Sequence, residues 1–396
     1  MDRHNYIPTA EKSQEIREKL FEIKQKLINE LEASGVIKRH RKVRSAEDLI
    51  DAILLMITEN LSLRRLSEVM AVRHNIFMSD TAWEKQILKC ADVFEKAAKS
   101  VSSLGITDDG VRHTYLIDAS NIPVEGEKGA SMRLHCSYCP DSGVIVEEHI
   151  TDWHTAESMC NFNIRKVTLY IGDRAYGRAG QFEYVQSHKA DFLIRMSPSH
   201  ISLYSDENCN NVISFADILR DTPEMKVTLH CYFRYRKKCF PVNVQAFRIP
   251  DDKLDTVDRR QRRTAQKKQR KLSENTILFS KWLILATSLD PDKHNLLELY
   301  SRRWQIELLF KRSKSIFHFR RLRHSSLGYT LSLSRAWSAV TRLASFAASF
   351  FRSHSLTFSR FSLHALLKLA DMRVTPQVVF DHWSTFYFNP PTPQGG

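Results

Sequence analysis

The stretch KVTLYIGD, residues 166–173, is a short run of β-branched and aromatic residues closed by a glycine and an acid. Its length and composition predict a strand buried on both faces, the kind found in parallel sheets. An earlier run, HTYLIDAS (113–120), has the same texture and also meets an acid, Asp118. Between them, MRLHCSYC and GVIVEEHIT flank PDSG (140–143), a turn sequence that predicts a hairpin. ADFLIRM (190–196) supplies a further strand. This succession, its first and fourth strands closed by Asp118 and Asp173, is compatible with a ribonuclease-H-like α/β core. Acids at adjacent strand ends can converge on metal ions; a single aspartate there is also ordinary strand-to-turn punctuation.

Working outward, residues 9–34, 45–60, 61–72 and 79–101 carry apolar positions at helical spacing. Ser45 with Asp48, and Thr81 with Glu84, have the spacing of capping boxes. A helix, a short helix, a turn and another helix suit either a helix-turn-helix DNA reader or a plain bundle. Downstream of the core, residues 226–236 and 240–249 are strand-like, and TILFSKWLILATS (276–288) reads as a strong strand. Between them RRQRRTAQKKQRK (259–271) packs eight cations into thirteen residues, either a solvated segment or one that lies along DNA. The organisation expected is a helical, DNA-binding part over 1–105, the first part of the core over 106–196 and a β-rich insertion over 197–289. The last core helix follows over 290–325, and a helical C-terminal region over 326–396.

The 396 residues carry 59 Lys and Arg against 45 Asp and Glu, a net charge of +14. Such an excess is the electrostatic footprint of a nucleic-acid binder. No apolar run approaches the roughly 20 residues that span a bilayer, and the N-terminal stretch MDRHNYIPTAEKSQ has no apolar signal core. The seven scattered cysteines suggest reduced thiols. A cytoplasmic protein at the nucleoid, without membrane partners, is the expectation. Cys136 and Cys139 with His149 and His154 only faintly resemble a zinc site, because positions 136 and 139 face opposite ways on a strand.

The stretch YSRRWQIELLFKRSK (300–314) holds one acid, Glu307, among aliphatics, aromatics and cations. Asp290 followed by Pro291 reads as a helix start, and the helix is expected to run to about Phe317. At about 100° per residue, Tyr300, Arg303, Glu307 and Lys314 fall within an arc of about 60°. The rest is nearly apolar all round, which predicts a buried helix and a carboxylate that needs a compensating charge or metal.

Tyr300, Arg303, Glu307 and Lys314 match the YREK signature, and the chain resembles the bacterial insertion-sequence transposases of the DDE type that carry it. IGDRAYG resembles the block around that family's second aspartate, with Ala175 where glycine is usual. LIDASNI resembles the first block, with Ala119-Ser120 in place of Gly-Thr. The resemblance covers about residues 45–325. It implies that Asp118, Asp173 and Glu307 hold two Mg²⁺ ions, with Mn²⁺ able to substitute. It implies that Tyr300, Arg303, Lys314, Arg174 and Tyr176 contact DNA. It also implies that Trp282 takes the place of, or stacks on, an extruded base, although a strand tryptophan is ordinarily core. The activity implied is binding of double-stranded transposon ends, cleavage through a hairpin, and joining to target DNA, by a homodimer in the DNA complex. A ribonuclease-H-like nuclease that cuts without joining, and a non-catalytic regulator derived from a transposase, are the rival readings.

Overall fold

A computed structural model describes residues 25–37, 43, 45–59, 61–102, 112–123, 130–267, 269 and 271–316, with Tyr329, residues 332–336, Ser338 and Arg342. The helical expectations for residues 9–24, and for the C-terminal region beyond Arg342, lie outside these. The chain opens with helix α1 (25–33), then α2 (Ala46–Thr58), α3 (Leu63–His74) and α4 (Asp80–Ser102). Ser45 and Asp48 form the expected capping box on α2. At α4 the cap is Ser79, whose hydroxyl accepts the Ala82 N–H at 3.3 Å, and not Thr81. The helix begins at Asp80, so Thr81 already lies inside it.

The sheet begins with β1 (His113–Pro123), β2 (Ala130–Cys139) and β3 (Val144–Asp152), joined through the predicted hairpin turn with Gly143 at φ 71°. β4 (Thr168–Gly172), α5 (Ala179–Ser187) and β5 (Asp191–Arg195) follow. The next segment carries β6 (Leu203–Tyr204), α6 (Phe215–Asp221), the long hairpin β7 (Lys226–Tyr235) and β8 (Lys238–Arg248), α7 (Asp251–Lys267), α8 (Glu274–Ser280) and β9 (Trp282–Thr287). All nine strands join one sheet, in the order β3-β2-β1-β4-β5-β9-β8-β7-β6. β1, β4 and β5 are mutually parallel, while β2, β3 and the strands from β9 outward pair antiparallel. The first five strands have the ribonuclease-H-like order, and β9 grafts the downstream hairpin onto its free edge.

Both faces of the sheet are covered, which is why its central strands read as continuous apolar runs. Along β1, Leu116 packs in one core with α2–α4 and the later helices, and Ile117 in the other with α5 and the downstream hairpin. Cys136 and Cys139 likewise fall in opposite cores. On the first face Arg342 Nε donates to Glu148 Oε1 at 2.9 Å, both side chains almost fully buried, and this ties the C-terminal segment to β3.

Four expectations change. The strand expected over 276–288 is half helix: Ser273 caps α8, and only Trp282–Thr287 extends. Arg259–Lys267 of the basic run lie on α7, none of whose residues is buried, but Asp118 does not close its strand: β1 runs on to Pro123, with Asp118 paired to Cys136. Cys209 and Cys239 are placed as a disulfide with Cα atoms 6.2 Å apart, not as free thiols. The loop wrapped around Asp206, whose carboxylate accepts the Asn208, Asn210 and Asn211 N–H groups, lays Cys209 against β8.

The fourth change concerns the last core helix, which is two helices, α9 (Leu296–Ser301) and α10 (Trp304–Ile316). Asn295, not Asp290, caps α9, accepting the Glu298 N–H at 3.2 Å. Asp290 instead turns back on the Asp292 N–H and Lys293. The joint is tightened by i→i+3 bonds from Arg303, Gln305 and Ile306, and Arg302 there pairs with Asp141 of the β2–β3 turn. Nor is the segment apolar all round in its burial: Leu297 and Trp304 are 45% and 57% exposed, while Ile306 and Phe310 face the core.

Candidate active site

β1 and β4 pair in parallel from His113 with Thr168 to Leu116 with Ile171. Asp118, inside β1, and Asp173, the first residue past β4, each lie two residues beyond the last pair of this ladder, which brings them to the same end of it. Alternation puts both on the face of Leu116 and Ile171, where α10 packs against β1. Gly172 leaves room on the opposite face, where a Cβ would meet Ile117 Cγ1 and Tyr176 Cδ2 at 3.0 Å and Ile194 Cδ1 at 3.1 Å. Asp173 caps the single 3₁₀ turn Arg174–Tyr176 and accepts the Ala175 N–H at 2.8 Å. No positive φ is required at Ala175, so alanine serves where glycine is usual.

Asp118 Oδ1 accepts the Ala119 N–H at 2.8 Å. Burial pushes its carboxyl up to about 7, against which the Ala119 N–H works, while the nearby charge of Asp173 raises it further. The first turn of α10 brings Glu307 to the same side. Arg303, at the α9–α10 joint, pairs with Glu307 and reaches Asp118 Oδ2 at 3.8 Å. Its guanidinium also lies 5.8 Å from the Tyr300 ring centroid. Lys314 is half-buried further along α10. Among the described residues no three His, Cys, Asp or Glu side chains stand close enough to hold a metal ion; Arg303 bridges Asp118 and Glu307. The donor chemistry nevertheless suits a hard divalent cation: carboxylate oxygens, one of them on an acid whose charged form burial disfavours.

One cation escaped the sequence reading. Gly172 pairs with Ile194, which puts Arg195 level with Asp173, and its surroundings include Arg174, Tyr300 and Arg303. The signal was present in ADFLIRM, a strand run that ends in arginine. Two expected DNA contacts are placed differently. Tyr176 is fully buried and offers no surface to a duplex. Trp282 is only 4% exposed, in the core on the opposite face from Asp118. It also lines a groove of about 870 Å³ whose walls include Arg174, Arg195, Arg260 and Gln261, so one side of α7 faces this groove.

A ribonuclease-H-like sheet with one aspartate inside β1, a second just past β4 and a glutamate on the helix packed against them has the architecture of nucleic-acid-processing enzymes. The family described as Transposase DDE domain matches residues 110–328, more than half of the chain, and the chain belongs to it. It is therefore a DNA transposase, an enzyme that cleaves DNA and belongs to a family that generally uses divalent metal ions. It is similar to the transposase for insertion sequence element IS421 of Escherichia coli, with 26% identity over 337 residues, 82% of this chain and 90% of that one. The InsL transposase assigned to insertion sequence element IS186A of Escherichia coli (strain K12) is 26% identical over 336 residues, with the same coverage. A piggyBac transposase, solved as a synaptic complex with hairpin DNA, is similar over 96% of this chain and 83% of that one, with TM-score 0.49 and 11% identity. No helix among the described residues is long and apolar enough to cross a membrane.

Proposed function

We propose that the protein is a transposase of the YREK group that binds the ends of its own insertion sequence, cleaves them through a hairpin and joins them to target DNA. The observation that carries this reading is the placement of Asp118 on β1 and Asp173 just past β4, each two residues beyond the last pair of one parallel ladder, with Arg303 between Asp118 and Glu307. These three carboxylates would hold two Mg²⁺ ions, with Mn²⁺ able to replace them. When bound, such ions lower the pKa of an attacking water and neutralise charge on the leaving oxygen.

The remaining roles belong to the chain. Arg303, released from its two acids, grips a phosphate beside the scissile bond, with Tyr300, Lys314 and Arg174 along the same backbone. Arg260 and the exposed cations of α7 hold the flanking duplex across the groove. Trp282, in the groove wall, receives a base extruded as the second strand bends back. Extrusion costs a few kcal/mol, and aromatic stacking returns about 1–3 kcal/mol. The helical part over 1–105 reads the transposon end, and two copies work together in the DNA complex, at the nucleoid.

The test uses the full-length protein, a linear duplex carrying the ends of its element, Mg²⁺ and a target plasmid. Nicked, hairpin and excised species on denaturing gels, followed by joined products, are expected. Cleavage with no joined product would return the protein to a nuclease, and no cleavage of any end would overturn the reading.

A further inference from the structure

Helices α1, α2 and α3 share one core, in which Leu27 and Leu31, then Leu49, Ile50 and Ile53, then Leu66 and Met70 are all buried. α2 ends at Thr58 and α3 begins at Leu63, so four residues join them. The Ser62 hydroxyl starts α3 by accepting the Arg65 N–H at 3.2 Å. Asn75 ends it at φ 56°, a left-handed conformation that asparagine tolerates. The next N–H, that of Ile76, donates to the Met70 carbonyl at 3.1 Å; Ile76 is buried and Phe77 is exposed. A third helix that follows a four-residue turn and shares the core of the two before it is the arrangement of helix-turn-helix proteins, whose last helix enters the major groove.

Only Leu66 and Met70 of α3 are buried. On the opposite side Arg64, Arg65, Glu68 and Val72 fall within an arc of about 100° at about 100° per residue, and all four are exposed. Arg65 donates to Glu68 Oε2 at 2.7 Å, and Arg64 Nε lies 3.9 Å from Glu68 Oε1. Arg73 adds a further cation in the last turn. Val72 is 85% exposed and Phe77 68%, the two most exposed large apolar side chains among the described residues. One such residue is ordinary; two at one end of a helix that carries three exposed arginines call for a partner with both negative charge and apolar points. A protein partner fits poorly, because charged residues are depleted from the centre of protein interfaces, and here they occupy it. The major groove matches the set: guanine accepts from arginine at O6 and N7, the cytosine amino group donates to a carboxylate, and the thymine methyl takes apolar contact.

We infer that α3 is the helix that reads the transposon end. Arg64, Arg65 and Glu68 meet base edges in the major groove, Val72 and Phe77 supply apolar contact to thymine methyls, and Arg73 holds a flanking phosphate. This rests on the end binding proposed above and names its reader. The test titrates the full chain, in chelator and at one fixed salt concentration, into two duplexes: the end of its element and a shuffled duplex of the same composition. The unmodified chain is expected to prefer the end. Arg64→Ala with Arg65→Ala should shrink that preference about tenfold or more, and Val72→Ala by a smaller factor, with thermal midpoints unchanged because all three side chains are exposed. Replacing guanine by 7-deazaguanine in the end should weaken binding of the unmodified chain and matter less to the arginine variant, since it removes an acceptor that only the major groove displays. Full preference retained in every variant overturns this inference and leaves end binding standing. An equal fall on both duplexes overturns it too, making α3 a phosphate surface that reads nothing. No preference in the unmodified chain overturns the underlying reading as well. Should the arginine variant lower the midpoint, Val72→Ala decides, and an unchanged preference there rejects α3 as the reader.

Discussion

Asp118 and Asp173 stand at the same end of a parallel ladder, each two residues past its last pair, Leu116 with Ile171. Fifty-five positions of sequence separate them, yet the register makes them neighbours. The same ladder, carried across to Ile194, adds Arg195 to the row.

Loss of any of the three acids should stop the chemistry and spare recognition. Asp118→Ala, Asp173→Ala and Glu307→Ala are each expected to reduce end cleavage at least 10³-fold, on the scale of removing a main electrostatic catalytic group, while mobility-shift binding of the ends stays within about threefold. Near-normal cleavage by Asp173→Ala would remove that residue from the site.

Asp118 also sets a pH dependence in the metal-free protein. Its folded-state carboxyl titrates at about 7, against an ordinary value of 3.8. Between those values the folded chain keeps a proton that the unfolded chain releases, so stability falls as pH rises through this window and levels off above it. The size is of order 2–4 kcal/mol. Chemical denaturation in chelator from pH 4 to 8 should show the decline, and Asp118→Asn should flatten it. An equal decline in the variant would trace the effect to other groups.

At Gly172 the expectation is steric. A methyl there meets Ile117, Tyr176 and Ile194 at 3.0–3.1 Å, so Gly172→Ala should cost about 1–3 kcal/mol and slow cleavage further by shifting Asp173. Wild-type stability together with wild-type cleavage would show that the strand crossing is looser than this.

The exposed cations of α7 should register in salt dependence. Replacing Arg259, Arg260, Arg262 and Arg263 by Gln is expected to lower the slope of log affinity against log salt by up to about four units. An unaltered slope would return α7 to a solvated helix with no duplex beside it.

Trp282 calls for a gentler substitution than alanine. At 4% exposure, Trp282→Ala should cost about 3–5 kcal/mol and confuse folding with function. Trp282→Phe should keep nicking while slowing hairpin formation, and an abasic nucleotide at the extruded position should restore the rate. No rescue by the abasic site would leave Trp282 as core alone.

The sequence by itself determined the strands HTYLIDAS and KVTLYIGD, the PDSG hairpin, the capping box at Ser45 and the residue types of the site. All of these rest on short-range rules: apolar runs, turn residues and cap spacing act within a few positions. It could not determine that β9 would seat the downstream hairpin on the core sheet, since strand partners are chosen by long-range packing. The split between α9 and α10 was hidden too. Helical spacing continues through Arg302 and Arg303, and the joint coincides with pairing of Arg302 to Asp141, more than a hundred residues away. Tyr176 reads as a contact for DNA in the sequence, and only the packing of its ring against Gly172 shows it to be buried. The approach of Asp118 and Asp173 and the placing of Arg303 between two acids were decided only by the tertiary structure. Each depends on register and on which faces of the sheet are covered, and these are fixed when distant segments bury apolar surface against one another.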